Sequence, residues 1–232
     1  MPLPLAIDLF CGLGGWTEGL LAEGWRVAGF DIERHVYGQA RYPAQLVLQD
    51  VLTMHGSQFA SADLIVASPP CQAYSYRAMP WKRAKALPPP DNALFNACFR
   101  IQREAIEAAN RFIPLVVENV RGAQPYVGRA RWHFGSFYLW GDVPALMPPV
   151  RARKNNGGSW FAIAHNTTSG HGRNPDGRKA PSGTQWFNDG PRTSDSLASM
   201  GGKSHARKAA SAHIAKIPTV LARHIARAWY PC

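Results

Sequence analysis

The stretch Asp63-Leu64-Ile65-Val66-Ala67-Ser68-Pro69-Pro70-Cys71-Gln72 constrains the fold of this chain more than any other. Its apolar run, bounded by turn residues, has the length of a buried strand. The strand runs into two prolines, which fix φ and restrict the residue before them, so the backbone just past it is stiff. The next side chain is a thiol. Open α/β sheets place their ligands beyond the carboxyl ends of their strands, and Cys71 falls at such an end. A cysteine is most often a small buried hydrophobe. The rigid Pro-Pro-Cys-Gln setting instead marks Cys71 as a candidate nucleophile.

The residues before it read as a βαβ unit. Leu3 to Phe10 is an apolar strand carrying one acid, Asp8, and it enters Cys11-Gly12-Leu13-Gly14-Gly15. A helix is expected from Trp16 to Glu23, ended by Gly24. Trp25 to Phe30 is a second strand with Asp31 at its carboxyl end. Glycines in the first turn let backbone approach a ligand, and an acid about twenty residues later can bind a ribose hydroxyl pair. The spacing is not G-x-G-x-x-G, which argues against a dinucleotide and leaves other adenosine-containing cofactors open. A third strand over Gln45–Leu48 leads to Asp50-Val51. Asp50 there suits either an adenine amino group or a turn cap.

Downstream of Cys71, Tyr74-Ser75-Tyr76-Arg77 and Trp81-Lys82-Arg83-Ala84-Lys85 precede Pro88-Pro89-Pro90. Aromatic and basic residues in a Pro-bounded loop suit a segment closing on a nucleic-acid backbone, although a solvated charged loop reads the same way. Leu94 to Phe112 has the periodicity of an amphipathic helix, with Phe95, Ile101, Ala105 and Ile106 as core. Pro114 to Val117 is a further buried strand, ending in Glu118-Asn119-Val120. Glu118 then lies on the same sheet edge as Cys71. A thiolate can add to an electron-poor ring while a carboxylic acid protonates that ring.

The ordered set Asp8-Leu9-Phe10-Cys11-Gly12-Leu13-Gly14-Gly15, Ser68-Pro69-Pro70-Cys71-Gln72 and Glu118-Asn119-Val120 resembles the DNA cytosine-5 methyltransferase family. The resemblance implies an α/β, Rossmann-like S-adenosylmethionine-dependent methyltransferase fold. Its sheet would be mostly parallel with helices on both faces, with a small basic insert. It also implies an S-adenosylmethionine pocket lined by Asp8, Phe10, Gly12, Gly14 and Gly15, with Asp31 on the ribose and Ile32 on the adenine. Asp50 and Val51 would meet the adenine edge, and Pro70 and Ile217 would complete the pocket. Cys71 would attack C6 of a cytosine flipped out of double-stranded DNA, and Glu118 would contact N3 and the exocyclic amine. Val127-Gly128-Arg129-Ala130-Arg131 resembles the family's Gln-x-Arg-x-Arg motif with Val127 in place of Gln. Arg129 and Arg131 are thus catalytic candidates, expected to lower the Cys71 pKa. Near the end, Ala215-Lys216 stand where the family has Asn-Ser, and only Ile217-Pro218 fits the pattern.

Composition adds the partner. A net charge of +11 points to a polyanion, nucleic acid before a membrane surface. Residues 151–208 carry ten Lys or Arg against three Asp, in a Gly-, Asn-, Ser- and Thr-rich context. This region is expected to be a short target-recognition segment, inserted into a catalytic domain made of 1–150 and 209–232, the latter a helix from Ala209 to Trp229. Cys11, Cys71, Cys98 and Cys232 have no metal-ligand spacing, so neither a zinc site nor a disulfide framework is expected, and a cytoplasmic setting is the default. No signal peptide or apolar run of spanning length is read, and a monomer is the simplest state. Two other readings share these residues: an RNA cytosine-5 methyltransferase, because the motifs also serve a tRNA-methylating branch, and a silent DNA-binding relative. A nicotinamide dehydrogenase explains neither Pro-Pro-Cys-Gln nor the charge.

Overall fold

Strand β1 (Leu5–Leu9) lies inside a seven-stranded sheet, third from one edge. The structure is a computed structural model that describes residues 2–77, 82, 86–147, 212–213 and 215–231. On one side β1 pairs in parallel with β2 (Arg26–Asp31), which pairs with β5 (Gln45–Leu48). On the other side it pairs with β6 (Leu64–Ala67), which pairs with β7 (Leu115–Asn119), again in parallel. Antiparallel β9 (Phe137–Gly141) and β8 (Trp132–Phe134) complete that side. A two-stranded hairpin, β3 (Val36–Tyr37) with β4 (Ala40–Arg41), stands apart from the sheet. The fold is therefore the mostly parallel, Rossmann-like α/β architecture expected.

Burial on both faces explains why the central strands are continuously apolar. Ile7, Leu9, Ile65, Ala67, Leu115 and Val117 share one core. Helix α3 (Ala93–Ala109) covers that face with Phe95, Cys98, Ile101 and Ala105. Successive strand side chains point to opposite faces, so Ala6 and Asp8 face the other way, and there Thr17 of α1 (Gly15–Ala22) bonds Asp8. The last helix, α5 (Thr219–Ala228), packs on α1. The fit is close because Gly19 has no side chain: a Cβ there would lie 2.8 Å from the Ala222 carbonyl carbon. Trp25 Nε1 donates to the Ala226 carbonyl at 3.1 Å, and Glu23 pairs with both Arg223 and Arg227.

Several expected boundaries move. Phe10 leaves the first strand because it takes a left-handed φ of 58°. α1 starts at Gly15 and ends at Ala22. β2 includes Asp31, and β7 includes Glu118 and Asn119. α3 stops at Ala109 because Asn110 adopts φ 50°, so Phe112 is outside it. Within the expected last helix Ala212, His213 and Ala215 are helical, and a separate final helix begins after Pro218, whose missing N–H suits a helix start and not its interior. The segment after Cys71 opens as a short helix, α2 (Gln72–Arg77), not a loop. The strands β3, β4 and β8 were not anticipated. The expected basic region, 151–208, lies outside the described residues, as do 209–211, 78–81 and 83–85.

Overfilling the α1–α5 contact tests this packing. Gly19→Leu should lower stability by about 1–3 kcal/mol, read as a fall in Tm; an unchanged Tm would mean that the two helices do not pack through Gly19.

Candidate functional site

From β1 the chain proceeds outward to β2 and β5, whereas β6 and β7 extend the sheet the other way. The reversal between β1 and β6 leaves a crevice at their carboxyl ends, the position where doubly wound sheets bind ligands. The loop after β1 forms one lip and the Pro-Pro-Cys turn after β6 the other.

The first lip is held in an uncommon backbone shape. Phe10, Gly12 and Gly14 all have positive φ, of 58°, 52° and 77°. For Phe10 this is a strained conformation, which persists only where its surroundings enforce it. Gly14 could not be replaced, since a Cβ would lie 2.5 Å from Pro43 Cδ. Open space faces Gly12, whose N–H donates to Asp31 Oδ2 at 2.9 Å. Asp31 Oδ1 accepts the Glu33 N–H, and His35 lies 3.6 Å from it. Burial alone would raise the Asp31 carboxyl, but His35 and the amides of Gly12 and Glu33 outweigh it and hold Asp31 below the usual value. Asp31 is an anion with lone pairs to spare. Next to it Ile32 is 73% exposed and presents an apolar face.

Beneath this lip Asp8 is 1% exposed. Thr17 Oγ1 donates to its Oδ2 at 2.7 Å and contacts the Tyr42 hydroxyl at 2.7 Å. Burial pushes Asp8 up to about 8 against that hydrogen bond, and its Oδ1 is buried without a partner among the described residues. Asp50 caps the 3₁₀ turn Val51–Thr53 by accepting the Leu52 N–H, and the Val51 side chain is in the core. Pro70 is exposed on the opposite lip, while Ile217 is buried.

On the second lip the Cys71 carbonyl accepts the N–H groups of Tyr74 and Ser75, which starts α2 directly at the thiol. Asn119 ties β7 to this turn: its Nδ2 donates to the Pro69 carbonyl at 2.9 Å, and its Oδ1 accepts the Val120 N–H. Glu118 is 8% exposed and pushed by burial up to about 8, against a smaller opposing effect of Ser68. Cys71 is half-buried and its thiol is raised, first by burial and then by the Glu118 charge, with a Ser75 hydrogen bond opposing. The expected lowering by Arg129 and Arg131 is not seen. Both guanidiniums are exposed, where water screens them, and they line a cleft of about 490 Å³ with Arg121, Trp132, His133 and Tyr138. The two ionisations are thus linked, because a protonated Glu118 removes the second of the two effects that raise the thiol. Asn119, Ser68, Thr17 and His35 were not singled out from sequence; the first two stand inside quoted motifs but carry no charge.

Among the described residues no cluster of three or more His, Cys, Asp or Glu could hold a metal ion, and no helix is long and apolar enough to cross a membrane.

The two raised carboxyls set a pH dependence. Above the ordinary value of 4.5 and below about 8, folded Glu118 keeps a proton that the unfolded chain has released. Stability from this group is therefore present at low pH and lost as pH rises through about 8. Asp8 acts in the same direction. Urea unfolding at several pH values should show this decline, shallower in Glu118→Gln; equal slopes would refute a protonated Glu118.

The family model for C-5 cytosine-specific DNA methylases matches residues 5–124, just over half of the chain and every element of the crevice up to Gln124. Among solved structures the chain is similar to the Dnmt2 methyltransferase of S. pombe, with 17% identity and a TM-score of 0.37 over 55% of this chain and 37% of that one. It is also similar to a putative DNA modification methyltransferase encoded within a prophage in E. coli, with 21% identity and a TM-score of 0.37 over 54% and 35%. The methyltransferase EhMeth of Entamoeba histolytica gives 15% identity and a TM-score of 0.43 over 66% and 58%. The chain covers less than two thirds of each of these proteins. No curated protein matches it. The chain belongs to the C-5 cytosine-specific DNA methylase family.

Proposed function

We propose that the protein transfers a methyl group from S-adenosylmethionine to C5 of a cytosine flipped out of duplex DNA, through a covalent Cys71–C6 adduct. The observation that carries this reading is the placement of Cys71 just past β6 and of Glu118 near the end of its parallel neighbour β7, with Asn119 tied to the Pro69 carbonyl between them.

The residues of the first lip fit the cofactor. Asp31 offers an anionic acceptor for a ribose hydroxyl pair, Ile32 an exposed apolar surface for the adenine, and Gly12 open space beside its backbone. Gly14 and Gly15 would keep the loop close to the ligand, and Phe10, Asp8, Asp50, Val51, Pro70 and Ile217 complete the proposed lining. When bound, the cofactor supplies an electrophilic methyl group on sulfonium.

The protein's own part is acid–base and nucleophilic chemistry. Cys71 adds as thiolate to C6, forming the S–C6 bond, while Glu118 hydrogen-bonds N3 and the exocyclic amine so that charge does not build on the ring. C5 becomes nucleophilic and takes the methyl group. A base then removes the C5 proton, the electron pair re-forms the C5–C6 double bond, and the Cys71 thiolate leaves. Flipping the base costs a few kcal/mol of unstacking. Arg121, Arg129 and Arg131 have no ion-pair partner among the described residues and would offset that cost by binding phosphates.

Cys71→Ser should abolish turnover and keep cofactor binding; retained turnover would remove Cys71 as nucleophile. Glu118→Gln should slow methyl transfer by roughly a hundredfold or more, and a near-normal rate would place the acid elsewhere. With ten basic residues in 151–208 as well as the arginine cleft, kcat/KM on DNA should fall at least tenfold between about 50 and 200 mM salt. A flat profile would contradict phosphate binding. Tritiated methyl transfer to duplex DNA and to tRNA, side by side, tests the substrate. Label on DNA cytosine is expected, label on tRNA alone would replace the substrate but not the chemistry, and label on neither would overturn the enzyme reading.

A further inference from the structure

We infer that Asn92 is a positioning residue for Cys71: its side-chain amide joins the turn that carries the thiol to the short helix that carries the arginine cleft. The inference rests on the reading of Cys71 as the nucleophile.

Asn92 stands at the N-terminal boundary of α3, where an asparagine ordinarily accepts one of the helix's free amides through its own oxygen. It makes no such bond here. Asp91 supplies one instead, its Oδ1 accepting the Ala93 N–H at 2.8 Å. Both ends of the Asn92 amide turn to other elements. Its Oδ1 accepts the Tyr74 hydroxyl at 2.9 Å, and its Nδ2 donates to the Tyr126 carbonyl at 3.1 Å. The carbonyl fixes the orientation of the amide, because a flipped side chain would set two acceptors against each other.

Each partner is one step from the site. Tyr74 is 3% exposed, and its N–H donates to the Cys71 carbonyl at 3.1 Å, so its ring and the thiol's turn are held together. Tyr126 belongs to α4 (Gln124–Val127), and its ring centroid lies 6.2 Å from that of Tyr74. Helix α4 organises the cleft. The Gln124 carbonyl accepts the Gly128 N–H, and Gln124 Oε1 accepts the Ala130 N–H, between Arg129 and Arg131. Gln124 itself lines the cleft. A nucleic acid held there by its phosphates must present a base to Cys71 at bonding distance, and small misplacements cost large factors in rate. Asn92 sets the separation of the two, and the helix cap it forgoes is the local cost of that link.

The test separates rate from affinity. Single-turnover methyl transfer is measured at saturating concentrations of S-adenosylmethionine and of the nucleic acid that the wild-type protein methylates, with both dissociation constants measured by titration. Asn92→Ala should lower the saturating rate roughly ten- to a hundredfold and leave both dissociation constants unchanged. Tyr74→Phe keeps the buried ring and removes only the hydroxyl, and it should lower the rate in the same way. Asn92→Asp keeps the acceptor for Tyr74 but loses the donor to Tyr126, so it too should be slow; a wild-type rate there would overturn the bridge. Tyr74→Phe with Asn92→Ala should be no slower than the slower single variant, since both act on one link. A merely structural role would lower Tm or affinity and spare the saturating rate. An unchanged rate in Tyr74→Phe or Asn92→Ala, or strictly additive losses, would overturn the role of Asn92 while wild-type methylation stands. A wild-type protein that methylates neither duplex DNA nor tRNA would overturn the underlying reading, whatever the variants do.

Discussion

The reversal of strand order between β1 and β6 produces a crevice that no crossover can roof, since the chain leaves those two strands in opposite directions along the sheet. Side chains at the strand ends meet there without entering the apolar core. The parallel pairing of β1, β6 and β7 brings the ends of these strands into line. A glycine-rich loop, a rigid Pro-Pro-Cys turn and a carboxyl, separated by more than a hundred residues from first to last, become neighbours. The Asn119 bond to Pro69 then locks the carboxyl's strand to the thiol's turn.

Three acids stand along this edge, and their surroundings divide them. Asp31 receives two amides and a histidine, so it stays ionised despite burial. Asp8 receives the Thr17 hydroxyl, but desolvation dominates at both Asp8 and Glu118, and both rise to about 8. Such separation of carboxyl pKa values is how one site keeps an anion for binding and a neutral acid for catalysis. The thiol belongs to the same balance. Burial raises it first and the Glu118 charge second, so a proton on Glu118 removes part of what opposes its ionisation.

Much of this was legible from residue order alone. The apolar runs at Leu64–Ala67 and Leu115–Val117 could only be buried strands, and Pro69-Pro70 fixed what followed the first of them. Cys71, Glu118, Asp31 and the glycines were legible because their chemistry is scarce and their spacing regular. Other features were not. That Phe10 would take a left-handed φ, or Asn110 end α3, depends on tertiary context that local propensity does not carry. The strands β3, β4 and β8 are two or three residues long, too short for any periodicity to register. Arg129 and Arg131 were recognisable as a motif, but their distance from the thiol's electrostatics was set by exposure, which a linear pattern does not encode.

The central claim is a covalent bond between Cys71 and a pyrimidine C6, and it can be trapped directly. Duplex DNA in which the cytosines carry fluorine at C5 has no C5 proton to lose, so the adduct cannot resolve after methyl transfer. The protein incubated with such DNA and S-adenosylmethionine should form a denaturation-resistant complex, and peptide mass spectrometry should place the attachment on Cys71. Absence of a complex while the unmodified duplex is methylated, or attachment at any other residue, would contradict the account.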